Sequence, residues 1–199
     1  MTAVGKLFCL LGKSGVGKDT LLQNIMLDRV LSEVLSPVIP YTTRPKREDE
    51  SDGLQYHFVT ETYMDELERQ GKIIEKRQYD TVHGIWYYFT VTFEMPLQRN
   101  YIIITTPHGS KKLAEKIGAG NMVIVQLTAD DKTRLERSIL RESAQSSPNY
   151  AEVCRRYLAD EQDFERADLS GFTAYNINAE GAQPDIFNAF RAIYSQYSS

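Results

Sequence analysis

Leu7-Phe8-Cys9-Leu10-Leu11-Gly12-Lys13-Ser14-Gly15-Val16-Gly17-Lys18-Asp19-Thr20 joins a continuous apolar run to a glycine-punctuated loop that closes on a lysine. The apolar run reads as a strand buried on both faces. The glycines at 12, 15 and 17 let the loop turn so that its N–H groups converge on one point without side chains in the way. A helix opening near Lys18 adds unpaired N–H groups and the positive end of its dipole. Strand, loop, Lys and helix mouth together form a cradle for phosphate oxygens, so Gly12, Lys13, Ser14, Gly15, Val16, Gly17, Lys18, Asp19 and Thr20 are the candidate triphosphate-binding segment. One residue breaks the usual pattern: Asp19 stands where a Ser or Thr hydroxyl would meet Mg²⁺.

Around this segment, buried-strand patterns alternate with amphipathic helical ones, which predicts an α/β fold with a mostly parallel central sheet. Core strands are expected near Leu7–Leu11, Val38–Tyr41, Tyr101–Thr105, Met122–Leu127 and Thr173–Ile177. Helices are expected at Lys18–Ser32, Ser110–Gly118, Asp130–Ser143, Asn149–Glu165 and Pro184–Gln196. Between Arg44 and Thr92 the texture changes to a charged loop, a short strand at Tyr56–Val59, a helix at Thr62–Gln70, and alternating aromatic segments at Ile73–Tyr79 and Ile85–Thr92. That reads as a small mixed sheet with one helix, inserted into the core. His83-Gly84 reads as a hairpin turn.

At 199 residues and 42% hydrophobic, the chain suffices for one domain with a substantial core. A net charge of −4 argues against a nucleic-acid binder, and no apolar stretch is long enough to span a membrane. Two cysteines, Cys9 and Cys154, make no disulfide framework and no metal-ligand spacing. The N-terminus runs directly into the first strand, so free thiols in a reducing cytoplasm and no secretory segment are expected. Monomer and homodimer both remain open.

Thr42-Thr43-Arg44-Pro45-Lys46-Arg47, with Tyr56 after an acidic turn, supplies two guanidinium forks and a phenol suited to gripping a dianionic phosphate. This stretch resembles the monophosphate site of the guanylate kinase family. The resemblance implies a P-loop NTPase three-layer α/β fold with a parallel central sheet, a monophosphate-binding insertion and a helical lid. The whole of 1–199 would form one domain: core 1–43, 93–130 and 165–199, insertion about 44–92, lid about 131–164. It also implies transfer of the γ-phosphoryl of ATP to a nucleoside monophosphate, with GMP favoured and Mg²⁺ accompanying ATP. By similarity, Arg44, Arg47 and Tyr56 hold the GMP phosphate, Glu75 reads guanine, and Lys18 follows the migrating phosphoryl. Arg134, Arg141 and Arg156 match the lid arginines that neutralise its charge, although Arg137 and Arg141 are interchangeable at this level. Asn178 falls near the family's adenine pocket.

Three departures accompany the resemblance. Asp19 replaces a hydroxyl; Ile102-Ile103-Ile104-Thr105-Thr106 lacks both Asp residues that end this strand in the family; and Tyr79–Phe89 is longer and more aromatic than the family's element at the guanine edge. Asp19 is accordingly the candidate metal-binding carboxylate, and Trp86 or Tyr87 the expected wall of the base pocket. Two other readings stand beside the leading one. Related kinases of phosphorylated ribose also carry Lys-Asp-Ser/Thr in the P-loop, which Lys18-Asp19-Thr20 resembles. A catalytically inactive guanylate-kinase-like interaction module would typically have lost loop glycines and the Lys, which this chain keeps.

Overall fold

The computed structural model describes residues 5–48, 50–81, 84–93 and 97–197, so the extreme N-terminus and His83 of the expected turn lie outside them. The central strand β1 (Leu7–Leu11) has no exposed residue. It lies between β7 (Asn100–Ile104) and β8 (Met122–Thr128), with β2 (Leu35–Pro37) and β9 (Thr173–Asn178) at the edges, giving the order β2-β7-β1-β8-β9. Every pairing in this sheet is parallel.

Because side chains alternate across a strand, β1 feeds two separate cores. Phe8 and Leu10 pack with Leu21 and Ile25 of α1 (Lys18–Leu27) and with Ile186 and Phe190 of α7 (Gln183–Tyr194). Leu7, Cys9 and Leu11 face Leu113 of α4 (Pro107–Ile117) on the other side. Helices covering both faces explain why the strand is apolar throughout.

The first helix is shorter than the sequence suggested. Asp28 ends it by accepting the N–H groups of Val30 and Leu31 on its side chain, and a separate turn, α2 (Leu31–Val34), follows. Such local side-chain bonding is what makes Asp a helix breaker. The expected strand Val38–Tyr41 also resolves differently. Leu35–Pro37 joins the central sheet, while β3 (Tyr41–Thr42) belongs to a second sheet. Pro37 is the last strand residue of the first sheet, with the Val38 N–H still donating to the Ile102 carbonyl at 2.8 Å, and Pro40 precedes the second. At the other end, α4 starts earlier than predicted, with Thr106 accepting the Gly109 N–H as cap and Pro107 in the first turn.

The second sheet has the order β4-β3-β6-β5, with β4 at His57–Phe58, β5 at Ile73–Thr81 and β6 at Gly84–Val91. Helix α3 (Glu61–Arg69) is capped by Thr60 and packs Met64 and Leu67 against Phe89. Two further helices, α5 (Asp131–Ser143) and α6 (Tyr150–Glu165), are capped by Asp130 and Asn149. Across the gap between these helices and the second sheet, the Ser146 hydroxyl donates to Glu48.

Candidate active site

A cleft of about 320 Å³ opens where the loop after β1, the second sheet and α5–α6 meet. Gly12, Ser14, Lys18, Asp19 and Thr20 line one wall, while Lys13 and Val16 face a neighbouring hollow. The loop geometry needs its glycines. Gly15 has φ 84°, and a Cβ there would sit 2.4 Å from the Arg134 carbonyl oxygen; Gly17, at φ 97°, caps α1. Lys18 Nζ folds back to donate to the carbonyls of Gly12 (2.6 Å) and Lys13 (3.2 Å). Desolvation pulls this ammonium below the usual lysine range; Asp19 and Asp160 oppose that, while Arg156 and Arg141 add to it.

The opposite wall carries Arg44, Arg47 and Tyr56. Arg44 is only 4% exposed, and it is held by Glu50 Oε1 (2.6 Å), the Pro45 carbonyl (2.7 Å) and the Tyr88 hydroxyl (3.1 Å). Burial opposes its charge, but the hydrogen bond it donates to Glu50 and the nearby negative charge more than compensate, so its pKa is raised. Glu50 also accepts the Arg47 N–H at 2.8 Å, fixing both arginines on one turn. Arg47 lies the other way: burial, then Arg156, Arg44 and Arg141, push its pKa down against the opposing charge of Glu50, because four guanidiniums converge on this part of the cleft. Burial raises the Tyr56 phenol, which therefore stays protonated and able to donate. This convergence is what a dianionic ligand would relieve.

From the helices, Arg141, Arg155 and Arg156 enter the cleft, and Arg156 Nη2 lies 3.4 Å from the Ser14 hydroxyl. The structure separates the candidate lid arginines. Arg137 turns away and donates to the Ala179 carbonyl at 3.0 Å, which leaves Arg141 as the residue facing the cleft. Arg134 is 2% exposed, bonded to Asp131 and Glu161 and stacked over Tyr157, and it borders the neighbouring hollow instead. It braces the loop from behind. The Asn178 side chain accepts the Glu180 N–H at 2.9 Å.

Two base-pocket expectations are corrected. Tyr87 packs on the α3 side with Lys76 over its ring, and it is Tyr88, together with Arg77 and Tyr79 from β5, that lines the cleft. A strand alternates faces, so a shift of one residue changes which ring meets the cleft. Trp86 is not among the cleft-lining side chains either. Glu75 shares the face of Arg77 and Tyr79 but lies beneath them. Its side chain has no exposure and accepts from Arg77 Nε (3.1 Å), Arg77 Nη2 (3.4 Å) and the Thr90 hydroxyl (2.8 Å).

Residues that the sequence reading passed over are Glu50, Arg77, Tyr79, Tyr88 and Asp160. The last accepts the Ser14 N–H at 2.6 Å. For Arg77 and Tyr79 the signal was present, since they follow Glu75 at steps of two on one strand. For Asp160 it was a four-residue step from Arg156 along a helix.

Comparison with known proteins agrees with this geometry. The family model for guanylate kinase matches residues 4–165. A guanylate kinase of Cupriavidus pinatubonensis is 29% identical over 198 residues, covering 98% of this chain and 87% of its own. One from Schizosaccharomyces pombe is 41% identical over a shorter stretch of 64 residues, 32% of this chain and 31% of its own. The crystal structure of guanylate kinase from Anaplasma phagocytophilum shares the fold, with a TM-score of 0.60 over 100% of this chain and 89% of that one at 19% identity. With a phosphate cradle facing a cluster of arginines across one cleft, and a family model spanning most of its length, this chain belongs to the guanylate kinase family.

Proposed function

We propose that the chain transfers the γ-phosphoryl of ATP to GMP, giving ADP and GDP. The observation that carries this reading is a single cleft with a glycine-loop cradle on one wall and Arg44, Arg47 and Tyr56 on the other, an arrangement suited to two phosphorylated ligands meeting end to end. The N–H groups of Gly12–Thr20 and Lys18 would hold the triphosphate. Arg44, Arg47 and Tyr56 would hold the monophosphate's phosphate, with Glu50 fixing the arginines. Arg141 and Arg156, with Arg155 beside them, would spread the charge of the transferring group. Arg134 acts by shaping the loop. No side-chain nucleophile is required, because positioning and charge neutralisation suffice.

Mg²⁺ would accompany ATP. Among the described residues no group of three or more His, Cys, Asp or Glu side chains is placed to hold an ion by itself. In such enzymes Mg²⁺ binds one or two carboxylates together with substrate phosphates and water. Asp19, exposed at the start of α1 and lining the cleft, has the right chemistry for this role. The ion supplies charge neutralisation at the phosphates.

A second reading, a kinase for a phosphorylated ribose, is favoured by one observation: Glu75 is tied to Arg77 rather than open to a base. A coupled assay with ATP–Mg²⁺ over GMP, dGMP, AMP, UMP and ribose phosphates separates the two. Turnover of GMP well above the sugar phosphates is expected, and turnover of sugar phosphates alone would overturn the proposal. Cytoplasmic location fits the free thiols Cys9 and Cys154, and among the described residues no helix is long and apolar enough to cross a membrane.

A further inference from the structure

Resting on the kinase reading above, we infer that Tyr79 is a positioning residue for phosphoryl transfer: standing on the acceptor wall, it seats Arg155 of α6 in the cleft and so sets that helix in register with the acceptor site.

Tyr79 follows Arg77 by two residues on β5, and both side chains line the cleft. The Arg155 guanidinium lies over the Tyr79 ring, 5.5 Å from its centroid, inside the roughly 6 Å over which a ring face attracts a cation. Its other partner is Glu152, three residues back on α6, which accepts from Nε and from Nη2 at 2.7 Å each. Glu152 is 7% exposed and Arg155 26%, so this two-pronged pair is largely shielded from water. A guanidinium has about five N–H groups, and Glu152 takes two, which leaves donors for a ligand in the cleft that Arg155 lines. Fork and ring together fix the direction of a long side chain that would otherwise have to be ordered when substrate binds.

The ring is itself held from both sides of the gap. Its hydroxyl accepts from Arg77 on its own strand and donates to Asp163 on α6. It meets Tyr88 edge-on, with centroids 5.6 Å apart and planes at 81°. The Tyr88 hydroxyl in turn accepts from Arg44 Nε at 3.1 Å. Contact therefore runs without a break from Arg44, which would grip the acceptor's phosphate, through two tyrosines to α6. Three residues before Asp163, Asp160 takes the Ser14 N–H on the triphosphate loop at 2.6 Å. Helix α6 thus bears on both walls, and inside the cleft Tyr79 carries its contact with the acceptor side. The bond from Ser146 to Glu48 spans the same gap between exposed groups at the rim.

Donors raise the rate only when they are aimed where charge develops in the transition state, and misdirecting one lowers kcat more than it weakens ground-state binding. A residue that aims Arg155 is accordingly read out in kcat.

The test is kcat and KM for GMP and for ATP–Mg²⁺ in variants at positions 79 and 155, each checked by thermal unfolding. Tyr79→Leu removes the ring and the hydroxyl, and it should lower kcat by about tenfold with both KM values within about threefold of wild type. Tyr79→Phe keeps the ring beneath Arg155 and should recover most of that loss. The fall in kcat caused by Arg155→Ala should shrink by about tenfold in the Tyr79→Leu background, because the two residues act as a unit. Additive losses, or an unchanged kcat in Tyr79→Leu, overturn the inference while GMP turnover by the wild-type chain leaves the kinase reading intact. No turnover of GMP by the wild-type chain overturns the kinase reading itself, and this inference with it. If Tyr79→Leu does not fold, Arg155→Lys decides, since it keeps the charge but neither forks to Glu152 nor lies flat on the ring. Its kcat should fall to within about threefold of Arg155→Ala, and a kcat equal to wild type overturns the inference.

Discussion

The Asp160 carboxylate of α6 accepts the Ser14 backbone N–H at 2.6 Å, on the loop whose N–H groups are shaped for phosphate oxygens. Next to it Glu161 takes the Lys13 ammonium at 2.5 Å. Two carboxylates from a helix 146 and 148 residues away in sequence thus occupy donors that a triphosphate would need. A loop of converging N–H groups favours an anion within reach, and Asp160 is one.

Asp160→Asn should therefore bind ATP more tightly in the absence of Mg²⁺. A charge-assisted hydrogen bond contributes about 1.5–3 kcal/mol, so a gain of about tenfold in affinity is expected. Equilibrium titration of ATP in chelator reads it. Equal or weaker binding by the variant would show that Asp160 does not compete with phosphate.

Lys18 gives a prediction in the stability against pH. Its folded pKa is below the ordinary 10.5, principally through burial. Between the lowered value and 10.5 the unfolded chain binds more protons than the folded one, so stability contributed by this site rises with pH across that window. Lys18→Met should flatten the rise in Tm on the alkaline side below pH 10.5, and should lower kcat by about 10²–10³-fold. An unchanged pH slope with lost activity would separate the catalytic role from the thermodynamic one.

Asp19→Asn should raise the Mg²⁺ concentration for half-maximal rate by about tenfold, the cost of one carboxylate oxygen near the ion and phosphates. Rates measured over a Mg²⁺ titration at saturating ATP check it. The same Mg²⁺ midpoint in both proteins would place the ion elsewhere.

The two thiols should behave oppositely. Cys9 is completely buried in β1, and burial pushes its pKa up to about 12, whereas Cys154 is exposed on α6. A thiolate is the reactive species, so native protein should release one equivalent of chromophore from an aromatic disulfide reagent, and denatured protein two. Fast reaction of both thiols in the native state would contradict the packing of β1.

Much of this architecture was legible in the chain alone. The Leu7–Leu11 run, the glycine loop and the Arg44–Tyr56 segment were readable because each is continuous in sequence and its role follows from local geometry. So were the starts of the helices at Asp130 and Asn149, which the structure makes the caps of α5 and α6 through bonds that reach only three residues ahead. The end of the first helix, by contrast, was set by Asp28 bonding locally where the apolar spacing ran on, and the Val38–Tyr41 expectation failed because the chain leaves one sheet for the other between Pro37 and Pro40.

The site itself divided along the same line. That arginines in the 134–156 region serve the transferring phosphoryl group was expected from the family resemblance, but which of them face the cleft was not. Helix rotation sends Arg141 into the cleft and Arg137 to a carbonyl, and ion pairs remove Arg134 to the back of the loop. The sequence by itself determined the buried strand, the glycine loop after it and the α/β alternation, since these rest on short-range backbone preference and apolar period; the facing pair of arginines was legible through the family resemblance. Only the tertiary structure decided that Glu75 lies tied beneath Arg77, that Tyr88 rather than Tyr87 faces the cleft, and that Asp160 sits on the loop. Those outcomes turn on strand parity and on which buried charge finds which partner, and neither is fixed until distant segments pack.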